Sequence, residues 1–232
     1  MNVIGITGLA GAGKDTVADH LVKDWGFARV GLADPLKRIC RDAFAFTDEQ
    51  LWGPSANRNA PDLRYPREHA AKTGVLCSCC GADVEVEATR PCYLTPRYAL
   101  QLLGTEWGRH CYDGVWVDYA MRLAAELLGA SSAPWHYDPR AGLTLTPSQF
   151  NEAGACKGVV ISDVRFENEA RAICRAGGKV WRVERPGAGL GGAGGQHVSE
   201  RGIPDDLVDR TVPNEGTFAE LYGLIDALMG GF

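Results

Sequence analysis

Val3-Ile4-Gly5-Ile6-Thr7-Gly8-Leu9-Ala10-Gly11-Ala12-Gly13-Lys14-Asp15-Thr16 passes from a β-branched apolar segment through a glycine-rich turn into a polar stretch. Residues 2–7 read as a buried strand, and Lys14 to about Asp24 as a helix. Between them, Gly8 to Lys14 fits G-x-x-x-x-G-K in the strand–turn–helix setting that this motif requires. Glycines let successive backbone N–H groups converge on phosphate oxygens, and the helix behind them presents its positive end. Lys14 adds a mobile positive charge able to follow a phosphoryl group in flight. Gly8, Gly11, Ala12, Gly13, Lys14, Asp15 and Thr16 are therefore the candidate ATP-binding residues. Ser or Thr normally follows the lysine; here Asp15 does, and the hydroxyl able to face Mg²⁺ is displaced to Thr16. A carboxylate beside phosphates is unfavourable unless it faces a cation, a substrate hydroxyl or an arginine. Asp15 thus points to the acceptor or the metal, with compensation of the helix dipole as the alternative.

Outward from this turn, strands and helices alternate. Phe27 to Leu32 reads as a strand, Asp34-Pro35 as a helix start with Asp34 as N-cap, and Leu36, Ile39, Cys40, Ala43 and Phe44 as a core-facing stripe. Thr47 and Gln50 have capping-box spacing. Thr95-Pro96 opens a helix to about Cys111, and another runs from about Gly114 to Leu128. Residues 130–157 read as loop with a hairpin. Alternation resumes with Gly158–Ser162, a helix over 166–176, Lys179–Glu184, a strand near Asp209–Val212 and a helix from about Thr217 to Met229. This pattern implies an α/β fold, a parallel doubly wound sheet with helices on both faces. The expected organisation is one domain with its core at 1–45 and 157–232. An acceptor-binding insertion fills about 46–156.

Asp163-Val164-Arg165-Phe166-Glu167-Asn168-Glu169 follows the strand Gly158–Ser162, and ligands bind at the carboxyl ends of strands in open α/β sheets. Asp163 can hold Mg²⁺ directly or through water, and Arg165 can neutralise charge on the transferring group, with Glu169 orienting it. Asp163 and Arg165 join Lys14 and Asp15 as catalytic candidates. On the helix after Thr95, Arg97, Gln101 and Thr105 fall at i, i+4 and i+8 and share a face, with Gly104 and Gly108 beside it. Arginine suits a phosphate, and a glutamine amide suits a nucleobase edge.

Several of these motifs, in this order, resemble the deoxynucleoside monophosphate kinases of tailed bacteriophages. They are Gly13-Lys14-Asp15-Thr16, Leu32-Ala33-Asp34-Pro35-Leu36-Lys37, Gln101-Leu102-Leu103-Gly104-Thr105-Glu106, Asp163 to Glu169, and Asn214-Glu215-Gly216-Thr217. The displaced hydroxyl, as G-x-x-G-x-G-K-x-T, is likewise shared with many nucleoside monophosphate kinases. The resemblance covers nearly the whole chain outside the cysteine-rich segment. It implies ATP- and Mg²⁺-dependent conversion of a dNMP to a dNDP by a homodimer. On that basis Arg97, Gln101, Gly104, Thr105 and Trp116 line the acceptor site, and Glu169 serves the transfer centre with Asp163 and Arg165. Two positions depart from the family: Ala12 stands where Ser is frequent, and Tyr98 where a basic residue is frequent.

Cys77-x-x-Cys80-Gly, followed by Cys92, resembles a zinc knuckle over about 74–93, a possible structural Zn²⁺ site. The fourth ligand would be His69, Cys79, His110 or Cys111; free thiols are the alternative. Cys40, Cys156 and Cys174 read as buried or incidental. The glycine-rich stretch from Pro186 to Gly195 reads as a mobile loop ahead of His197, Ser199 and Glu200. Arg182 and Arg185 are further candidates to face a nucleotide.

At 232 residues with 45% hydrophobic and 23% charged side chains, the chain is an ordinary globular one. A net charge of −5 argues against broad binding to nucleic acid or anionic membrane. No basic, apolar leader opens the sequence, and no run approaches the roughly 18 apolar residues of a membrane span. The expected location is the cytoplasm, that of the host if the chain is phage-encoded. Alternative readings are another small-molecule kinase of the same architecture, such as a dephospho-coenzyme A kinase, and a non-catalytic nucleotide-binding module.

Overall fold

The computed structural model describes residues 2–67, 92–129, 136–138, 142–144, 156–189 and 202–231. Cys77, Cys79, Cys80, His69, His197, Ser199 and Glu200 lie outside them. The chain divides into two compact units, 1–32 with 114–232, and 33–113. These boundaries differ from the expected 46 and 156. The first helix after residue 32 packs with the elements of 33–113, and the helix that opens at Val115 packs on the sheet.

The first unit is built on β1 (Val3–Thr7), β2 (Phe27–Gly31), β7 (Gly158–Ser162), β8 (Lys179–Glu184) and β9 (Arg210–Pro213), all parallel, in the order β2-β7-β1-β8-β9. β1 is buried along its whole length, as expected for a central strand covered on both faces. Ile4 and Ile6 point to one face, where α1 (Lys14–Trp25) and α8 (Phe218–Met229) cover them with Val17, Leu21, Leu221 and Ile225. On the other face, Ile173 of α7 (Glu167–Arg175) lies so close over Gly5 that a Cβ there would sit 2.6 Å from its Cδ1. α6 (Val115–Leu127) packs on β2, β7 and α7 of this unit. Gly129, at φ 67°, follows α6, and β5 (His136–Asp138) pairs antiparallel with β6 (Gly142–Thr144) in the expected hairpin. Burying such a two-sided apolar layer stabilises the sheet by about 25 cal/mol per Å² of apolar surface removed from water.

The second unit is helical: α2 (Asp34–Phe44), α3 (Asp48–Leu51), α4 (Ser55–Asn59) and α5 (Pro96–Gln101), with the two-residue strands β3 (Pro66–Arg67) and β4 (Cys92–Tyr93) paired antiparallel. Its core holds Cys40, Phe46, Leu51, Leu94 and Ala99. The capping box of Thr47 and Gln50 forms, and Thr95 caps α5 through its hydroxyl. Three expectations change. Ala33, not Asp34, is the cap of α2; Asp34 sits in the first turn with its carboxylate 3.6 Å from Lys37. Leu36 and Cys40 are buried, but Ile39 and Ala43 are exposed, because the core takes only the row Leu36–Cys40–Phe44. The helix after Gln101 becomes a π-helix over Leu102–Arg109. Hydrogen bonds reaching five residues back reset the phase of side chains. The 3.6-residue face that joins Arg97 to Gln101 therefore does not continue to Thr105.

Candidate active site

Gly8 to Lys14 crosses from β1 to α1 with Gly8, Gly11 and Gly13 all at positive φ. Two of these glycines are compelled by their neighbours. A Cβ on Gly8 would collide with the Val183 carbonyl of β8, and one on Gly13 with the Asn214 side-chain amide. The carbonyls of the loop are engaged from behind. Lys14 Nζ donates to Gly8 O at 2.9 Å and Leu9 O at 3.0 Å, Gly189 N–H donates to Ala10 O at 2.9 Å, and Asn214 Nδ2 donates to Ala12 O at 2.8 Å. Among the described residues, the N–H groups of Gly11, Gly13 and Lys14 donate to no protein acceptor. Amides facing one way at the positive end of a helix form an anion cradle.

The acid–arginine turn meets this loop. Asp163 has φ 68°, a left-handed conformation that asparagine and aspartate tolerate best and that other L-residues rarely adopt. The next residue is pinned to the neighbouring strand, Val164 N–H donating to Ile6 O at 2.8 Å. Asp163 Oδ1 stands 3.5 Å from Lys14 Nζ, and Oδ2 accepts from Arg165 Nη2 at 2.7 Å and Nε at 2.9 Å. Partial burial pushes the Asp163 carboxyl upward, but the charges of Arg165 and Lys14 prevail and hold it below the usual carboxylate range. Glu169 is 3% exposed, and its Oε2 accepts from the backbone N–H groups of Arg165 at 2.8 Å and Phe166 at 3.1 Å. It orients Arg165 through the main chain, as the carboxylate half of a capping box at α7.

Asp15 finds an arginine. Arg29, in β2, binds the Asp15 carboxylate, Asp19 at 2.8 Å and the Ser162 hydroxyl at 3.2 Å. Thr16 is half-buried, and its hydroxyl makes no hydrogen bond to another described residue. Nothing in the spacing of the β2 sequence singles out Arg29. Asn214, by contrast, opens one of the motifs noted above.

A cavity of about 560 Å³ opens beside the loop. Its walls include Gly8, Leu9, Arg165, Arg182, Arg185 and Ile203. Arg182 is held in place by the Asp205 carboxylate and by the Ile203 carbonyl at 2.7 Å, so its guanidinium is a fixed wall. Arg185 is exposed at the rim.

The comparisons with known proteins bear on this arrangement. No family model matches the chain. A protein of Acanthamoeba polyphaga mimivirus, named provisionally as a deoxynucleotide monophosphate kinase, is 30% identical over 225 residues, 97% of this chain and 94% of its own length. The chain belongs to this nucleotide-kinase family. Among solved structures, a Thermus thermophilus protein aligns over 99% of this chain and 97% of its own at TM-score 0.42 and 18% identity. A dephospho-CoA kinase from Campylobacter jejuni aligns over 99% and 96% at TM-score 0.39 and 12% identity. At those scores the likeness adds nothing to the assignment.

In this kinase the remaining expected site residues fall in two places. Arg97, Gln101, Gly104 and Thr105 belong to the helical unit. Arg97 Nε donates to Asn59 of α4, and a Cβ on Gly104 would come within 3.3 Å of Leu36, so the partner that this glycine admits is α2. Tyr98 is neutral, yet the Arg67 guanidinium lies 4.4 Å from its ring centroid, and a positive charge stands over that position after all. Trp116 belongs to the sheet unit, 6% exposed in the first turn of α6. Cys92 is buried in β4, and no group of three metal-ligating side chains occurs among the described residues. No described helix is long and apolar enough to cross a membrane.

Proposed function

We propose that this kinase transfers the γ-phosphoryl group of ATP to a deoxynucleoside monophosphate, releasing ADP and the dNDP. The observation that carries this reading is the cradle itself. Loop carbonyls are held from behind, N–H groups are left facing outward, and Lys14, Asp163 and Arg165 form one charged group beside them. The mimivirus relative's name supports the acceptor class.

On this reading the triphosphate lies along Gly11, Gly13 and Lys14, and the donor nucleoside takes the adjoining cavity. The Thr16 hydroxyl and the Asp163 carboxylate are hard oxygen donors of the kind that suit Mg²⁺. Held there, the ion would offset the negative charge of the phosphates. Lys14 leaves its two carbonyl acceptors for the phosphates and follows the charge as it moves toward the leaving ADP. Arg165, fixed through Glu169, neutralises the equatorial oxygens. Asp163 keeps Arg165 in place and stays ionised throughout the neutral range. Asp15, satisfied by Arg29, lets the loop keep its positive field. On the helical unit, Arg97 grips the acceptor phosphate and Gln101, on the same face, the base edge.

The test is a coupled assay of ATP and Mg²⁺ with dTMP, dGMP, dCMP, dAMP, their ribose forms and dephospho-coenzyme A as acceptors. Turnover with at least one dNMP is expected. Turnover confined to dephospho-coenzyme A would overturn the acceptor class. Lys14→Met should lower kcat/KM by about 10³-fold, as loss of one preorganised charge contact does, while the protein stays folded. Rates like the wild type's in that variant would end the kinase reading.

A further inference from the structure

A trans peptide unit points its carbonyl and its N–H in opposite directions. Whatever holds the carbonyl of one loop residue therefore aims the N–H of the next. Lys14 holds Gly8 O and Leu9 O, and the Gly189 backbone holds Ala10 O. The Ala12 carbonyl, which sets the direction of the Gly13 N–H, is held by a side chain 202 residues away in sequence, Asn214.

Asn214 is built for that task. It directly follows β9, and its own N–H donates to Glu184 O at 2.7 Å, extending the β8–β9 ladder by one rung. Behind it, Thr217 and Glu220 close a capping box at α8 and fix the turn. Its amide nitrogen occupies the space where a Cβ on Gly13 would lie, so the asparagine has room there only because residue 13 is glycine. A carbonyl can be met only by a donor, and among side chains of this size only the asparagine amide offers N–H without bringing a charge. Glu215, the next residue, lines the cavity beside the loop. One turn thus touches both the cradle and the wall next to it.

We infer that Asn214 is a positioning residue for phosphate binding: through the Ala12 carbonyl it aims the Gly13 N–H, and the helix start behind it, at the donor phosphates. This rests on the reading of Gly8 to Lys14 as the ATP cradle. Asn214 touches no reacting atom; it acts through the loop. A residue that only braced the fold would lower the melting temperature without altering how ATP is held.

The experiment compares the full-length wild type with Asn214→Leu, which keeps the size and loses the donor, and Asn214→Asp, which sets an acceptor against the Ala12 carbonyl. Mg-ATP binding is followed by calorimetry, KM for ATP and for the acceptor by coupled assay, and melting with and without Mg-ATP by scanning fluorimetry. Asn214→Leu should raise the ATP dissociation constant and KM for ATP about tenfold, the scale of one misaligned hydrogen bond. KM for the acceptor should stay unchanged, and the rise in melting temperature that ATP gives should shrink. Asn214→Asp should be weaker still, and it serves alone if the leucine variant does not fold. If both variants melt lower but bind ATP as the wild type does, Asn214 is a brace and the inference fails. If the wild type itself gives no heat with Mg-ATP, the cradle reading fails first, and the two failures are told apart in one titration.

Discussion

Glu169→Ala probes how the acid–arginine turn is built. The carboxylate is 3% exposed and accepts two backbone N–H groups, from Arg165 and Phe166. Hydrogen bonds to a charged group contribute about 1.5–3 kcal/mol each, and truncation leaves two half-buried donors without that acceptor, so a loss of about 3–5 kcal/mol is expected. Against a total stability of about 5–15 kcal/mol the protein should still fold. At about 2–4 °C per kcal/mol for a chain of this size, the melting temperature should fall by about 10 °C. The loss also reaches the site, because the freed Arg165 backbone no longer fixes Asp163 in its left-handed turn. Well below the new midpoint, kcat/KM should drop about a hundredfold, the scale of a misplaced charge contact. Scanning fluorimetry gives the first quantity and the coupled assay the second. Glu169→Gln, with an acceptor oxygen but no charge, should fall between. If Glu169→Ala melts within about 2 °C of the wild type and turns over normally, the main-chain role derived for this carboxylate is wrong.

Other consequences are equally direct. The Asp62 carboxyl is held well below the usual carboxylate range, chiefly by the hydrogen bond from the Arg64 side chain and also by Gln50. A depressed carboxylate stabilises the fold above its unfolded pKa, about 3.9, and that contribution is lost as pH falls below it. Asp62→Asn should therefore flatten the acid side of a melting-temperature profile and lower the neutral plateau; an unchanged acid side would refute the linkage. Burial pushes the Cys40 thiol up to about 12, whereas Cys111 is exposed. Iodoacetamide at pH 8, read by peptide mass spectrometry, should label Cys111 promptly and Cys40 only as the protein unfolds. Arg97→Ala should raise KM for the acceptor about tenfold or more, through loss of a charged contact, and leave KM for ATP unchanged; an equal rise in both would move Arg97 away from the acceptor.

Local signals in the sequence were enough for the individual strands of the sheet unit. Val3 to Thr7, Gly158 to Ser162 and Lys179 to Glu184 are continuous apolar or alternating runs, and the glycine turn before Lys14 has one physical use. Strand and helix bounds follow because each is governed by neighbours within a few residues, as the Thr47 and Thr217 capping boxes are. What lay beyond local reach depended on partners far along the chain. The π-helical phase of Leu102–Arg109 is not encoded in a 3.6-residue count, and the exposure of Ile39 follows from which row of α2 the helical unit's core covers. Arg29 became part of the site only when β2 paired with β7 and brought it beside Ser162 and α1. Asn214 reaches Ala12 across 202 residues because β8 lies next to β1 in the sheet and β9 next to β8. A sequence fixes which groups can donate, accept or carry charge; the order of strands in the sheet decides which of them meet.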